Sequence, residues 1–192
     1  MKNLLTGIIT SKTRVKLLVR FFFNPEARSF LRELTREFNV SSNSVREELN
    51  QLTDAKLLVS KKSGRQVFYQ ANQNHPLFPE LKSMVNKLMG IDQVIDGLVN
   101  RLGKLELAYL IDYYADGKDS GIIDLLLVGD IDRYHLDDLS RKTERYIHRT
   151  IRTIVISADE FSLFIEKLTD RPHMLIWQAH ETTGELLDNN CA

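Results

Sequence analysis

Two amphipathic helical patterns joined by a four-residue turn constrain the fold of this chain more than any other feature. The first pattern covers residues 29–38. The second begins after Ser41, a natural helix N-cap, and its inward positions are Val45, Leu49 and Leu52. Because the turn is so short, the two helices must pack against each other, and the pattern predicts a helix-turn-helix unit.

The elements around this unit extend the prediction. An earlier helix begins after Ser11 and ends at Asn24-Pro25. Two strands, Leu57 to Ser60 and Gln66 to Ala71, follow the unit and are joined by the segment 61–65, which contains a glycine. Helix, helix, tight turn, helix and hairpin is the order of a winged helix-turn-helix domain.

The residues of this unit also carry a family resemblance. The stretch Leu31 to Leu52, LRELTREFNVSSNSVREELNQL, continued by AKLL at 55–58, closely resembles the ArsR- and MarR-type bacterial transcriptional regulators. The resemblance covers roughly the first 75 residues. It implies a homodimer that binds double-stranded DNA at two half-sites about one helical turn apart.

The distribution of charge agrees with a nucleic-acid partner. The chain has 26 basic and 26 acidic residues and a net charge of zero. Residues 1–75 hold 13 Lys and Arg against 6 Asp and Glu, a balance of +7, so the remainder carries −7. Neutrality of the whole chain therefore does not exclude DNA binding by its first part.

The candidate DNA-binding residues lie on the third helix and the hairpin. The helix places polar side chains outward or near its N-terminal end, the end that enters the major groove in helix-turn-helix proteins. The hairpin would bring cations to phosphate or to the minor groove. The alternative interpretation is an ordinary solvated polar face. These candidates are Ser42, Asn43, Ser44, Arg46, Asn50, Lys61, Lys62 and Arg65.

A further helical pattern follows the break at His75-Pro76. Its apolar stripe runs from Leu77 to about Gly90. Two interpretations stay open: the stripe packs against the preceding domain, or it forms a dimerisation helix.

The second half alternates strands and helices, which favours an α/β domain. The strand from Ile122 to Val128 is almost entirely apolar, as expected for a sheet covered on both faces. Ser157 and Glu160 predict a capping box at the start of a helix that runs through Leu168. The other predicted elements are a helix at 94–102, strands at 105–111, 150–156 and 173–178, and a helix at 133–146.

Segments 107–117 (LAYLIDYYADG) and 124–130 (DLLLVGD), and their spacing to SADEF at 157–161, resemble the small nucleotidyltransferase fold. The resemblance implies a Gly-Ser pair that binds nucleotide phosphate and an Asp-x-Asp pair, often with a third carboxylate, that holds two metal ions. Asp112 and Tyr113 stand at the Gly-Ser position. Asp124 matches the second carboxylate, and Ile122 stands in place of the first. Asp112, Tyr113 and Asp124 thus form a remnant nucleotide pocket, and we expect no catalytic residue, metal or cofactor.

Other features exclude further classes of protein. The single cysteine, Cys191, excludes an internal disulfide framework. The apolar run Leu4 to Ile9 is too short to span a membrane, so we expect a cytoplasmic protein without a membrane partner. The histidines show no metal-ligand spacing. They are His75, His135, His148, His173 and His180.

Together these patterns predict an α+β winged helix domain at residues 1–74, a linker or possible dimerisation helix at 75–90, and an α/β nucleotidyltransferase-like domain, inactive, at 91–192. The function that follows is a DNA-binding transcriptional regulator, a homodimer whose C-terminal domain serves dimerisation or binds a small-molecule or protein effector. The alternatives are a nucleotidyltransferase with a targeting winged helix and an antitoxin-like protein-interaction module.

Overall fold

The computed structural model describes residues 7–179. His180, Cys191 and the beginning of the run Leu4 to Ile9 lie outside these residues. The described residues form a mixed α/β structure of eight α-helices and two sheets. In this range no helix is long and apolar enough to cross a membrane.

The N-terminal unit, residues 7–74, contains three helices and a three-stranded sheet. Helix, helix, turn, helix and hairpin follow one another as predicted, and the hydroxyl of Ser41 accepts a hydrogen bond from the Ser44 amide at 3.2 Å. Strand β3 lies between β1 and β2, and all pairs are antiparallel. The elements are α1 Lys12–Leu18, which continues as a π-helical turn Val19–Phe23, β1 Ser29–Phe30, α2 Leu31–Phe38, α3 Ser42–Asp54, β2 Leu58–Ser63 and β3 Gln66–Ala71.

Two predictions for this unit were wrong in detail. Residues 29 and 30 form a short strand paired with β3, and α2 begins only at Leu31. The hairpin strands continue to Ser63 and Gln66, so Lys61 and Lys62 lie within β2 and not in the connecting loop. A two-residue turn suffices because Gly64 adopts a left-handed conformation with φ of 59°.

The C-terminal unit, residues 91–179, is built on a four-stranded sheet of order β6-β5-β4-β7. Strands β5 and β6 are parallel, and the other pairs are antiparallel. Strand β5 is almost wholly buried, as its apolar sequence predicts, and the capping box of α8 is confirmed. The elements are α5 Ile91–Gly97, a 3₁₀ turn Val99–Arg101, β4 Leu105–Ile111, α6 Asp112–Ala115, β5 Ile122–Gly129, α7 Arg133–Ile147, β6 Thr150–Ile156, α8 Ala158–Thr169 and β7 His173–Gln178. Helix α4, Phe78–Met89, precedes this unit.

One apolar core runs through both units. The stripe of α4 packs within the chain: Val85, Leu88 and Met89 are buried, and the rings of Phe78 and Phe22 lie 5.8 Å apart. Within the chain, α4 therefore packs against the N-terminal unit.

The two units also meet directly at α6 and the turn after it. The ring of Phe23 meets that of Tyr114 edge-on at 5.8 Å, and the Tyr114 hydroxyl donates to the Met89 carbonyl at 2.5 Å. Arg20 donates to the Asp116 carboxylate at 2.6 Å. Gly117 lies so close to the π-helical turn after α1 that a Cβ atom there would be 3.2 Å from the carbonyl oxygen of Arg20. The first turn after β4 is thus an interdomain joint.

Candidate nucleic-acid interface and remnant nucleotide pocket

Helix α3 presents a polar stripe to solvent on the side opposite its buried residues. Ser42, Asn43, Arg46 and Asn50 are exposed, and the spacing of three and four residues places them along one face. Arg46 donates from Nη1 to Asn43 Oδ1 at 3.0 Å, so the two side chains support each other. Amide and guanidinium groups are those that bind adenine and guanine edges in the major groove.

Ser44 differs from its neighbours. It is half-buried, and its hydroxyl lies 3.3 Å from that of Thr13 on α1. The guanidinium of Arg14 donates to Glu48 at 2.6 Å and also to Gln51. Helix α1 therefore holds α3 in position, and Ser44 contributes to this contact and less to the outward stripe.

The hairpin carries Lys61 and Lys62 on opposite faces of its two-stranded ribbon. Directly opposed residues of an antiparallel pair share a face, and successive residues alternate between faces. Lys62 pairs with Val67, which lines a cavity with Ser42 and Arg46. Lys61 pairs with Phe68 and therefore lies on the other face of the ribbon. Only Lys62 thus shares the side of α3.

The cavity between α2, α3 and the hairpin has a volume of about 430 Å³ and adds residues that sequence reasoning missed. Arg32 and Thr35 line it together with Arg46. The guanidinium of Arg28 lies 5.5 Å from the centre of the Phe68 ring, near the base of the hairpin. Arg32 and Arg36 are four residues apart on α2, a sequence signal that could have identified these cations, whereas Arg28 precedes β1.

The three residues expected to form a remnant nucleotide pocket do not line one common pocket. Asp112 and Asp124 lie near each other at the end of β4 and the start of β5, where Ile111 pairs with Asp124. Tyr113 is 65% exposed and lines a different cavity, together with Val15 of α1 and Val19 of the π-helical turn. The structure therefore brings two of the three predicted residues together and separates the third.

Each of these carboxylates is bound by an arginine. Arg171 Nε donates to Asp112 Oδ1 at 2.8 Å, and its Nη2 donates to Oδ2. Arg152 donates to Asp124 from Nε at 2.6 Å and from Nη2 at 2.9 Å. The hydrogen bond to Asp124 raises the pKa of Arg152 above its usual value.

This arrangement does not fit the two metal ions that the nucleotidyltransferase resemblance implies. A magnesium pair needs several carboxylate oxygens free to coordinate. The described part of the chain holds no group of three or more His, Cys, Asp or Glu residues that could bind a metal ion. Arginine guanidinium groups occupy the oxygens of Asp112 and Asp124 instead.

Comparisons with known proteins found no matching family model and no matching curated protein. Among solved structures, the chain is similar to reduced HlyU from Vibrio cholerae N16961, at 20% identity and a TM-score of 0.36 over 45% of this chain and 83% of that one. It is also similar to the toxin–antitoxin complex MntA–HpeT (17%, TM-score 0.37, 47% and 73%). A third is the tri-AMPylated Shewanella oneidensis HEPN toxin in complex with MNT antitoxin (15%, TM-score 0.35, 49% and 73%).

Proposed function

We propose that this chain is a DNA-binding transcriptional regulator whose winged helix, formed by residues up to 74, binds duplex DNA. The observation that carries the proposal is the hydrogen-bonded pair Asn43 and Arg46 on the exposed face of α3. Lys62 and Arg65 of the adjacent hairpin are also exposed, which supplies the cations that phosphate contacts require.

The regulator acts as a homodimer, and the C-terminal domain supplies a surface for the second copy or for a partner protein. An exposed apolar residue of α8 supports this part of the proposal: Leu163 is 81% exposed. Light scattering on the full chain tests it. Leu163→Glu should shift the dimer towards monomer, whereas Tyr134→Glu, at a comparably exposed position on α7, should not.

The C-terminal domain has a nucleotidyltransferase-like fold without the catalytic activity. The two bidentate arginine–carboxylate pairs support this, because a metal ion would have to displace a guanidinium from each. Incubation with labelled nucleoside triphosphate and Mg²⁺ tests it. Transfer of label that is abolished by Asp124→Asn would establish an enzyme instead.

The exposed apolar side chain of Leu163 on α8 also favours a second candidate, an antitoxin-like protein-interaction module. Co-purification of a stoichiometric partner, in a protein that binds no DNA, would support that candidate over the regulator.

A mobility shift on the DNA upstream of the protein's own gene tests the main proposal. We expect retardation at low salt that weakens as salt is added. Retardation that is absent at low salt, or that does not respond to salt, would contradict DNA binding by this surface.

A further inference from the structure

A groove lies along the boundary between the two units. One part, with a volume of about 400 Å³, has apolar walls formed by Val15, Val19 and Phe38. The exposed ring of Tyr113 also lines it. This part offers a flat apolar body both aliphatic contact and an aromatic face.

The other part of the groove is rich in cations. It has a volume of about 470 Å³ and is lined by four cations, Arg20, Arg28, Arg36 and Lys118, and by two acids, Glu33 and Glu37. Glu37 and Lys118 line both parts, so the two parts meet at these side chains. Together they fall within the volume range of small-molecule sites in proteins.

Part of this positive charge is not compensated within the groove. Lys118 Nζ lies 2.7 Å from Asp116 Oδ2 and 4.0 Å from Glu37 Oε2, and Arg20 is paired with Asp116. Arg28 and Arg36 are exposed and form no ion pair with any residue between 7 and 179. The Arg28 guanidinium lies over the Phe68 ring, and neither guanidinium is held by a carboxylate, so both have donors for an anion at the cationic end.

We propose that this groove binds an amphipathic organic anion, with its flat apolar body beside Tyr113 and Val19 and its phosphate or carboxylate between Arg28 and Arg36. The apolar end binds the body of such a molecule, and the cationic end binds its charged group. Neither end alone would bind both halves. This site is separate from Asp112 and Asp124.

A ligand bound in the groove would act on α3 through α1. Val15 and Val19 line the groove, and Thr13 and Arg14 of the same helix contact Ser44 and Glu48 of α3. A ligand that moves α1 therefore moves the polar stripe. This regulatory consequence rests on the proposed function, whereas ligand binding itself does not.

Titration calorimetry of the full chain without DNA tests the site, using 1-naphthyl phosphate, 2-naphthoate and the neutral 1-naphthol as probes. We expect at least one of the anions to bind saturably at one site per chain. Its Kd should be lower than that of 1-naphthol by about tenfold or more. The two anions distinguish phosphate from carboxylate as the preferred group.

Variants place the binding in the groove. Arg36→Ala should weaken binding of the preferred anion by about tenfold, whereas Arg101→Ala, an exposed arginine outside the groove, should leave it unchanged. Tyr113→Ala should weaken the binding of the anion and of 1-naphthol to the same extent, because it removes the aromatic face. A matching thermal melt checks that each variant is folded.

Glu37→Gln gives an independent test, because it removes the acid that lies where the two parts meet. The charged groups near Glu37 are Arg20, Lys118, Asp116 and Glu33. We expect Glu37→Gln to tighten anion binding at pH 7. No saturable binding of either anion, equal affinity for 1-naphthol, or an unchanged affinity in Arg36→Ala would each overturn the proposal, and none of these results depends on whether the chain binds DNA.

Discussion

The guanidinium of Arg152 on β6 binds the carboxylate of Asp124 on β5 through two hydrogen bonds, of 2.6 and 2.9 Å. The two residues are register partners in the parallel pair of strands. Asp124 is 8% exposed, whereas the side chain of Arg152 is 62% exposed. At the position where the nucleotidyltransferase resemblance implies a metal-binding carboxylate, the protein therefore compensates the charge with its own side chain.

Removal of Arg152 should destabilise the fold, because it leaves the buried carboxylate of Asp124 without this partner. We expect Arg152→Ala to lower the free energy of unfolding by about 1–3 kcal/mol, as measured by urea denaturation. The exposed pair Lys142 and Asp138 on α7, with Nζ and Oδ2 2.5 Å apart, is the control. Lys142→Ala should cost no more than about 0.5 kcal/mol, and equal losses in the two variants would contradict the structural role of Arg152.

The interdomain joint can be tested with two glycines that share a conformation. Gly117 and Gly121 have φ of 74° and 78°, so alanine at either position is strained by about 1–2 kcal/mol. Only at Gly117 would a Cβ meet neighbouring atoms within 4 Å, the nearest being the carbonyl oxygen of Arg20. We expect Gly117→Ala to lower the free energy of unfolding by about 1 kcal/mol more than Gly121→Ala does. Equal effects would indicate that the two units are not closely packed at this turn.

The charge of Glu37 should make stability depend on pH. Burial raises the pKa of Glu37 above its ordinary value of 4.5, although Arg20 and Lys118 act in the opposite direction. Between 4.5 and the raised pKa the folded chain binds more protons than the unfolded chain, so this contribution to stability falls as pH rises.

Glu37→Gln removes this titration. We therefore expect the stability of Glu37→Gln, relative to the wild type, to increase as pH rises from 4.5 to 7. Denaturant unfolding at several pH values measures the difference, in which the titrations common to both chains cancel. A difference that stays constant or falls with pH would contradict the raised pKa.

Substitutions of the residues proposed to contact DNA should have two kinds of effect. Arg46→Ala should cost about 1–3 kcal/mol on the preferred sequence and relax the preference at one base position, because Arg46 contacts a base edge in the proposed complex. Lys62→Ala should weaken binding to all DNA sequences alike. It should also reduce the slope of log K against log salt by about 1 per subunit. Lys61→Ala is the matched control on the opposite face of the ribbon and should have the smaller effect. Fluorescence anisotropy on specific and scrambled duplexes distinguishes these outcomes.

Much of the fold could be predicted where apolar periodicity and turn signals agree. Strands β4, β6 and β7 have the predicted bounds, and Ser41 and Ser157 cap the helices that they were expected to cap. The shortest elements carry no periodicity, so the two-residue strand β1 and the four-residue helix α6 could not be predicted.

The site could be predicted only in part, because its decisive contacts join distant parts of the chain. Asp112 and Arg171 are 59 residues apart in sequence, and nothing local indicates that they pair. The resemblance groups Tyr113 with Asp112 because both stand at the Gly-Ser position. In α6, however, successive side chains diverge by about 100°, which directs Tyr113 to the interdomain groove.

If α3 and its hairpin bind duplex DNA, the affinity must fall steeply as salt is added. Lys62, Arg65 and Arg32, contributed by each of two subunits, would neutralise about six phosphates, which predicts a slope of log K against log salt of about −5. We expect this slope for the full chain on its upstream DNA, measured by fluorescence anisotropy. No binding at low salt, or a slope near zero, would contradict the account.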